Sequence, residues 1–177
     1  MTGGAVLQRP GSGEHADWYG GYVALVPAGD VRDLLRTHLH ETLALLSGVD
    51  NARAEKAYGP GKWTLKELVL HMSDTERVMS YRLLRIGRGD ATPLPGFEQD
   101  EWVPHSCAND RSMASLLLEF AVIRSSTMLL VDSLPDEAWA RTGTASGHPI
   151  SARALAYIIA GHERHHVKII RERYLKD

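Results

Sequence analysis

Four long segments of this sequence carry apolar residues at helical spacing, each between residues that start or stop a helix, and little else is periodic. The first runs from Val31 to about Ser47, after the breakers Pro27 and Gly29, with Asp30 placed to cap it. The second runs from Leu65 to about Ile86. Thr64 with Glu67 three residues on forms a capping box, and Gly59-Pro60-Gly61 prevents a helix from entering upstream. The third runs from about Ser112 to Ser133, ahead of Pro135. The fourth runs from Ala152 to about Leu175, with Ser151 as its cap. Strand signals are almost absent, so the expected fold is all-α: an antiparallel four-helix bundle. The connection from Gly89 to Cys107 is long and holds Pro93, Pro95 and Pro104 with Phe97 and Trp102, which suits a cover better than an idle linker. A short helical turn is expected over Ser133–Trp139, and a small hairpin over Thr142–Ile150.

A chain of 177 residues is long enough to bury one core without staples, so residues 15–177 are read as one domain behind a flexible tail of residues 1–14. The formal net charge of −2 gives no basic surplus of the kind a nucleic-acid partner requires. The single cysteine, Cys107, rules out an intrachain disulfide and fits a reducing cytoplasm. The Gly-rich start lacks the plan of a signal peptide. No apolar run approaches about 18 residues, so no membrane span is expected.

The histidines, nine in all, carry the chemistry. On a helix, residues four apart lie about 40° apart on one face. His162 and His166 therefore share a face, and Leu155, Ile158, Ile159, Ile169 and Ile170 surround them on it. His165 falls on the margin of that stripe, with Glu163 and Arg164 farther out. Two imidazoles in an apolar face need partners for a donor and an acceptor each. A single metal ion satisfies both lone pairs at once, and this favours a metal over two hydrogen-bonded core histidines.

His71 lies at the edge of the apolar set Leu68, Met72, Met79 and Ile86 on the second segment. On pattern alone it is as readily solvated as it is a ligand. His38, amid Val31, Leu34, Leu35 and Leu45, faces inward as a ligand, a hydrogen-bonding neighbour of the site, or a satisfied core residue. Asp74 and Arg82 share the strip of His71 and are the candidate catalytic residues. Arg82 has the shape to hold an anionic substrate group; the competing reading pairs it with Glu98, Asp100 or Glu101 of the long loop.

Two blocks of sequence resemble the DinB-like (DinB/YfiT-like) superfamily. One is His71-Met72-Ser73-Asp74-Thr75-Glu76-Arg77, then Tyr81-Arg82, then Gly89-Asp90-Ala91-Thr92-Pro93-Leu94-Pro95-Gly96-Phe97. The other runs from Arg153 through Ala160-Gly161-His162-Glu163-Arg164-His165-His166. The resemblance extends from about Val26 to Tyr174. It implies a metalloenzyme fold in which one divalent transition metal, zinc or nickel, is held by His71, His162 and His166. It also implies a homodimer. Characterised relatives include thiol S-transferases that use bacillithiol and mycothiol-dependent isomerases, so a small-molecule substrate such as a low-molecular-weight thiol is expected as partner. The family name does not imply DNA chemistry.

Three protein nitrogens leave a coordination position open, as catalytic sites do, and a bound ion lowers the pKa of water or of an incoming thiol toward neutrality. The leading expectation is a metal-dependent enzyme activating a thiol or water, either a thiol S-transferase or a hydrolase. The rival is a non-catalytic metal-binding stress-response protein. A polar-lined pocket beside the metal favours the first, and a site sealed by Leu and Ile favours the second.

Overall fold

The structure, a computed structural model, describes residues 6–176. Its helices are α1 (Gly20–Leu25), α2 (Val31–Leu46), α3 (Asn51–Ala54), α4 (Leu65–Gly87), α5 (Gln99–Trp102), α6 (Met113–Asp132) and α7 (Ala152–Ile169). A π-helical turn, Ile170–Tyr174, extends α7. The four long helices expected from the pattern are α2, α4, α6 and α7. Their caps form as the local chemistry dictates: the Asp30, Thr64, Ser112 and Ser151 side chains each accept from a backbone N–H in the first turn. Glu67 completes the box on Thr64. The expected turn after α6 is a 3-10 helix, Asp136–Ala140. The expected hairpin pairs β1 (Thr142–Ala145) with β2 (His148–Ser151). Ser146 and Gly147, both at positive φ, make its two-residue turn.

The order of the helices around the bundle is less regular than their sequence order. α4 packs on α7 and α6, and α2 packs on α6 and α7, so α2 lies diagonally across from α4. α4 and α7 run antiparallel, with the two ends of that pair marked by Trp63 beside Tyr174 and by Ile86 beside Gly143. α2 and α6 are also antiparallel: Arg36 near the start of α2 meets Asp132 at the end of α6. α4 and α6, in contrast, point the same way, because Glu67 meets Asn109, Arg77 meets Glu119 and Arg88 meets Ser133. A parallel neighbour cannot be reached by a short turn. Residues 88–112 must climb the full length of the bundle, which explains the long loop. On the way Leu94 lies along β1, taking a hydrogen bond from Ser146 N–H and giving one to the Thr144 carbonyl.

The apolar core is divided. One cluster holds Val31, Leu35, Met79, Leu83, Ile86, Val131, Leu155 and Ile159 at one end of the bundle. The other holds Leu39, Leu46, Leu65, Met72, Leu116, Phe120 and Ile170 at the opposite end. Between them every long helix contributes buried polar groups: His38 and Thr42, His71 and Glu76, Arg124 and Thr127, His162, Glu163 and His166.

Several expectations need correction. α6 is long and apolar enough to cross a membrane by length and composition, contrary to the sequence reading. Here one of its faces lies in the bundle and carries the fully buried Arg124. The expected tail covers residues 1–14, of which 1–5 lie outside the described residues. The rest of it is fastened down: Tyr157 donates to the Leu7 carbonyl, Arg9 donates to the carbonyls of Val23 and Val26, and Glu14 takes two hydrogen bonds from Arg153.

Candidate metal centre

His71 comes from α4, and His162 and His166 come from successive turns of α7. The antiparallel packing of α4 on α7 brings their Nε2 atoms to a common point, 3.1 Å from His71 to His162, 3.2 Å from His71 to His166 and 3.0 Å from His162 to His166. All three residues are buried. Nitrogens bound to one ion at about 2.0–2.1 Å, with bond angles between a right angle and a tetrahedral one, stand roughly 2.9–3.4 Å apart. The triangle fits that range. Among the described residues these three are the one group of potential donors close enough to share an ion.

The protonation chemistry agrees with the donor set. Burial holds the His71 imidazole down at about 4, and it pushes His162 and His166 well below the ordinary imidazole value. The neighbouring imidazoles push the same way on the two α7 residues. The rings are thus neutral at physiological pH, the form that ligates metal. Thr75 Oγ1 lies 3.5 Å from His71 Nδ1, one turn along α4, placed to take the Nδ1 proton and leave Nε2 with its lone pair. His166 Nδ1 is buried without a hydrogen-bond partner.

Aromatic rings frame the triad. Tyr22 of α1 stands edge-on to His162 at 5.4 Å between centroids, and Trp63 lies 4.8 Å from His71. α1 reaches His162 because residue 161 is glycine: a Cβ there would stand 2.0 Å from the Tyr22 carbonyl oxygen. A cavity of about 340 Å³ opens beside His162, lined by Trp18, Tyr19, Tyr22, Thr75, Met79, Gly96, Phe97, Glu98, Gln99, Ser146 and Ile158. A second, of about 460 Å³, touches His166 from the other side, between Tyr58, Lys62, Trp63, Asp100 and Tyr174. The crossover between α4 and α6 separates them.

The remaining sequence candidates fall in different places. Asp74 lies under the crossover and pairs with Arg77 at 2.9 Å; it does not reach the nitrogen triangle. Its carboxyl is raised by burial, against the opposing pull of Arg77. Arg82 is 1% exposed and pairs with none of Glu98, Asp100 and Glu101. Its Nη2 donates to the Pro95 carbonyl at 2.7 Å and to Ser146 Oγ at 3.0 Å. His38 is no ligand: it is buried on α2, 3.3 Å from Arg164 Nη1, with Nδ1 unpartnered. Glu163, read as lying outside the stripe, is 2% exposed, because α7 is covered by α1, α2 and α4 together. It accepts from Arg124 at 2.7 Å and from Thr42 at 2.6 Å. Arg124 also grips Glu76 through two hydrogen bonds of 2.8 Å. This ion triad, behind the histidines, escapes a sequence reading that sends charges outward.

A comparison with curated protein sequences finds no match. Among solved structures the chain is similar to YfiT from Bacillus subtilis, described as a probable metal-dependent hydrolase with an unusual four-helix bundle topology. That similarity has a TM-score of 0.70 at 13% identity, over 93% of this chain and 90% of that one. It is also similar to a mycothiol-dependent maleylpyruvate isomerase, with a TM-score of 0.65 at 18% identity, over 82% of this chain and 61% of that one. At these identities the likeness is one of fold. A model of the DinB superfamily matches residues 34–170, a span that includes all three histidines, and the chain therefore belongs to the DinB superfamily.

Proposed function

We propose that this protein is a metal-dependent enzyme that activates a thiol or water for attack on a small-molecule substrate, with thiol transfer ahead of hydrolysis. The observation that carries the reading is a buried, convergent imidazole triad with an open cavity against one of its members. A purely structural site has no need of such a space. The lining includes Thr75, Gln99 and Ser146 beside the aromatics, so it is not the Leu and Ile seal expected of a non-catalytic binder. The descriptions of YfiT and of the mycothiol-dependent isomerase point the same way.

His71, His162 and His166 would hold one divalent ion, zinc or nickel, both of which accept imidazole. Such an ion, when bound, supplies Lewis acidity that makes a thiol or water nucleophilic near neutral pH. The protein supplies the rest. Thr75 Oγ1, 3.5 Å from His71 Nδ1, is placed to favour the tautomer whose Nε2 faces the ion. Tyr22, Phe97 and Trp18 line the His162 side of the cavity and offer flat surfaces to an apolar substrate. Asp74 has the character of a proton acceptor under the crossover, and Arg82 that of an anion holder.

A homodimer is also proposed, although Leu116 and Val131 of α6 are buried inside the bundle and cannot contribute to its interface. The outward face of α6 instead leaves Leu118, Val122 and Leu129 exposed, at 67%, 60% and 73%. The exposed, free Cys107 is compatible with a cytoplasmic setting.

The test begins with elemental analysis of protein purified without an affinity tag. Metal-loaded and metal-free protein are then compared across thiols, bacillithiol and mycothiol included, each with simple electrophiles, and across esters and amides. Metal-dependent turnover of any of these supports the reading. Stoichiometric metal with no turnover anywhere transfers the case to a metal-binding stress-response protein.

A further inference from the structure

Arg82 is a buried cation, 1% exposed, that has no anionic partner among the described residues. Its partners are all neutral. Nη2 is anchored by Pro95 O and Ser146 Oγ, while Nη1 has only long contacts, 3.4 Å to the Tyr19 hydroxyl and 3.8 Å to Met79 Sδ. Phe97 lies under the guanidinium with 5.5 Å from its ring centroid to Cζ. None of the ion pairs among the described residues involves Arg82. A buried guanidinium without a counter-charge carries a desolvation cost that neutral acceptors offset only in part. The other deeply buried arginine shows what full compensation looks like: Arg124 holds two carboxylates.

The groups around Arg82 are also the wall of the 340 Å³ cavity. Tyr19, Met79, Phe97 and Ser146 belong to both, and His162 belongs to the same cavity. Glu98 lines it too, without pairing to Arg82. Arg82 itself does not line that space, which touches the metal centre; Tyr19 does, and its hydroxyl lies 3.4 Å from Nη1, so an anion in the cavity reaches Nη1 by displacing that long contact.

We infer that this cavity is a receptor for a small carboxylate on an aromatic or apolar body, in which the Arg82 Nη1 edge and the Tyr19 hydroxyl hold the anionic group while Trp18, Tyr22 and Phe97 hold the body. The receptor is a binding function distinct from the metal, and it depends on the enzyme reading only in assigning its occupant as substrate. With Nη2 held by Pro95 and Ser146, one carboxylate oxygen would take the charge-assisted Nη1 hydrogen bond while the Tyr19 hydroxyl donates to the other. The anchoring of Nη2 fixes the guanidinium in advance of binding, so little rotamer freedom is lost when the anion arrives.

Benzoate and its neutral isostere benzamide are the probes, titrated calorimetrically into metal-loaded protein and into protein shown by elemental analysis to be metal-free. The wild-type protein is expected to prefer benzoate by tenfold or more in both states. R82M is expected to bind the two equally, and R82K to retain only part of the preference. Because Arg82 also ties the crossover to the hairpin, the wild-type protein supplies an independent readout. The Arg82 guanidinium NMR resonance is expected to shift with benzoate and stay in place with benzamide. Equal binding of the two probes by wild-type protein, an undiminished preference in folded R82M, or a stationary Arg82 resonance overturns the inference. A preference that vanishes on chelation overturns it as well, by making the metal the receptor, and leaves the metal-enzyme reading standing. A preference kept by protein that never binds metal supports the receptor and removes the enzyme reading.

Discussion

Replacing Gly161 with Ala sets two opposite effects against each other, and the structure fixes which one wins. Ala is favoured over Gly inside a helix by about 0.8–1.0 kcal/mol, so in an exposed helix the change would stabilise. At Gly161 the new Cβ would lie 2.0 Å from the Tyr22 carbonyl oxygen and 2.5 Å from its carbonyl carbon. Close carbon–oxygen approaches in proteins are about 3.3 Å, so α1 must withdraw by more than about 1 Å. Overpacking costs roughly 1–3 kcal/mol, and the upper end applies because the obstacle is backbone rather than a side chain that can swing away. The net is a loss of about 2 kcal/mol, or a fall in Tm of roughly 4–8 °C for a domain of this size. The triad sits on α4 and α7, which the change does not separate, so metal content should be retained. The cavity wall made by Tyr19 and Tyr22 should move. Thermal unfolding followed by circular dichroism, with metal analysis of the same sample, reads both. A Tm equal to or above that of the wild type would refute the claim that the α1–α7 contact is as close as described.

Other perturbations follow from the same structure. R124M leaves Glu76 and Glu163 buried without a cation and should lower stability by about 3–5 kcal/mol in denaturant titration; a loss under about 1 kcal/mol would mean that the triad is solvated. H162A and H166A should each abolish stoichiometric metal, whereas D74N should leave it bound, as elemental analysis would show. Chelation at neutral pH should lower Tm, because an ion bound only by the folded state adds to its stability, and an unchanged Tm after proven metal loss would count against the site. Arg153 holds the Glu14 carboxyl down at about 2, below its ordinary value of 4.5. A depressed folded pKa gives stability that is present above the unfolded value and lost as pH falls through 4.5 toward 2. Discounted for partial solvent exposure this is about 1 kcal/mol. E14Q should therefore be less stable than the wild type at pH 7, with the gap narrower at pH 3 and closed only as pH falls through about 2; a gap independent of pH would exclude the ion pair as its cause.

What the sequence revealed was local. Caps at Asp30, Thr64, Ser112 and Ser151, and the stripe that carries His162 and His166, depend on residues within a turn or two of one another, so the four long helices and two of the three imidazoles of the cluster could be read directly. His71 stayed ambiguous because its position at the edge of the α4 stripe is settled by where α7 lies, and that is a long-range fact. Glu163 and Arg124 were hidden for a related reason. Periodicity assumes one buried face per helix, but α7 is covered on several sides, and a charge that is fully paired inside obeys no polarity rule. α1 is a six-residue helix, too short for any period to show, yet it supplies Tyr22. The direction of α6 relative to α4 left no mark on composition; only the length of the connection hinted at it.

The two arms of the metal triad are far apart in the chain: His71 and His162 are separated by 91 residues. During synthesis α2, α4 and α6 emerge well before α7, and until then the chain offers a single one of the three imidazoles. Capture of an ion by the triad would therefore follow the docking of α7, and it would close a very long loop, whose entropy an ion can offset only once the bundle has already brought the ends together. Folding is thus expected to precede metallation, with refolding rates indifferent to metal and unfolding slowed by it. A bound ion would act as a latch on a finished structure rather than as a seed for it.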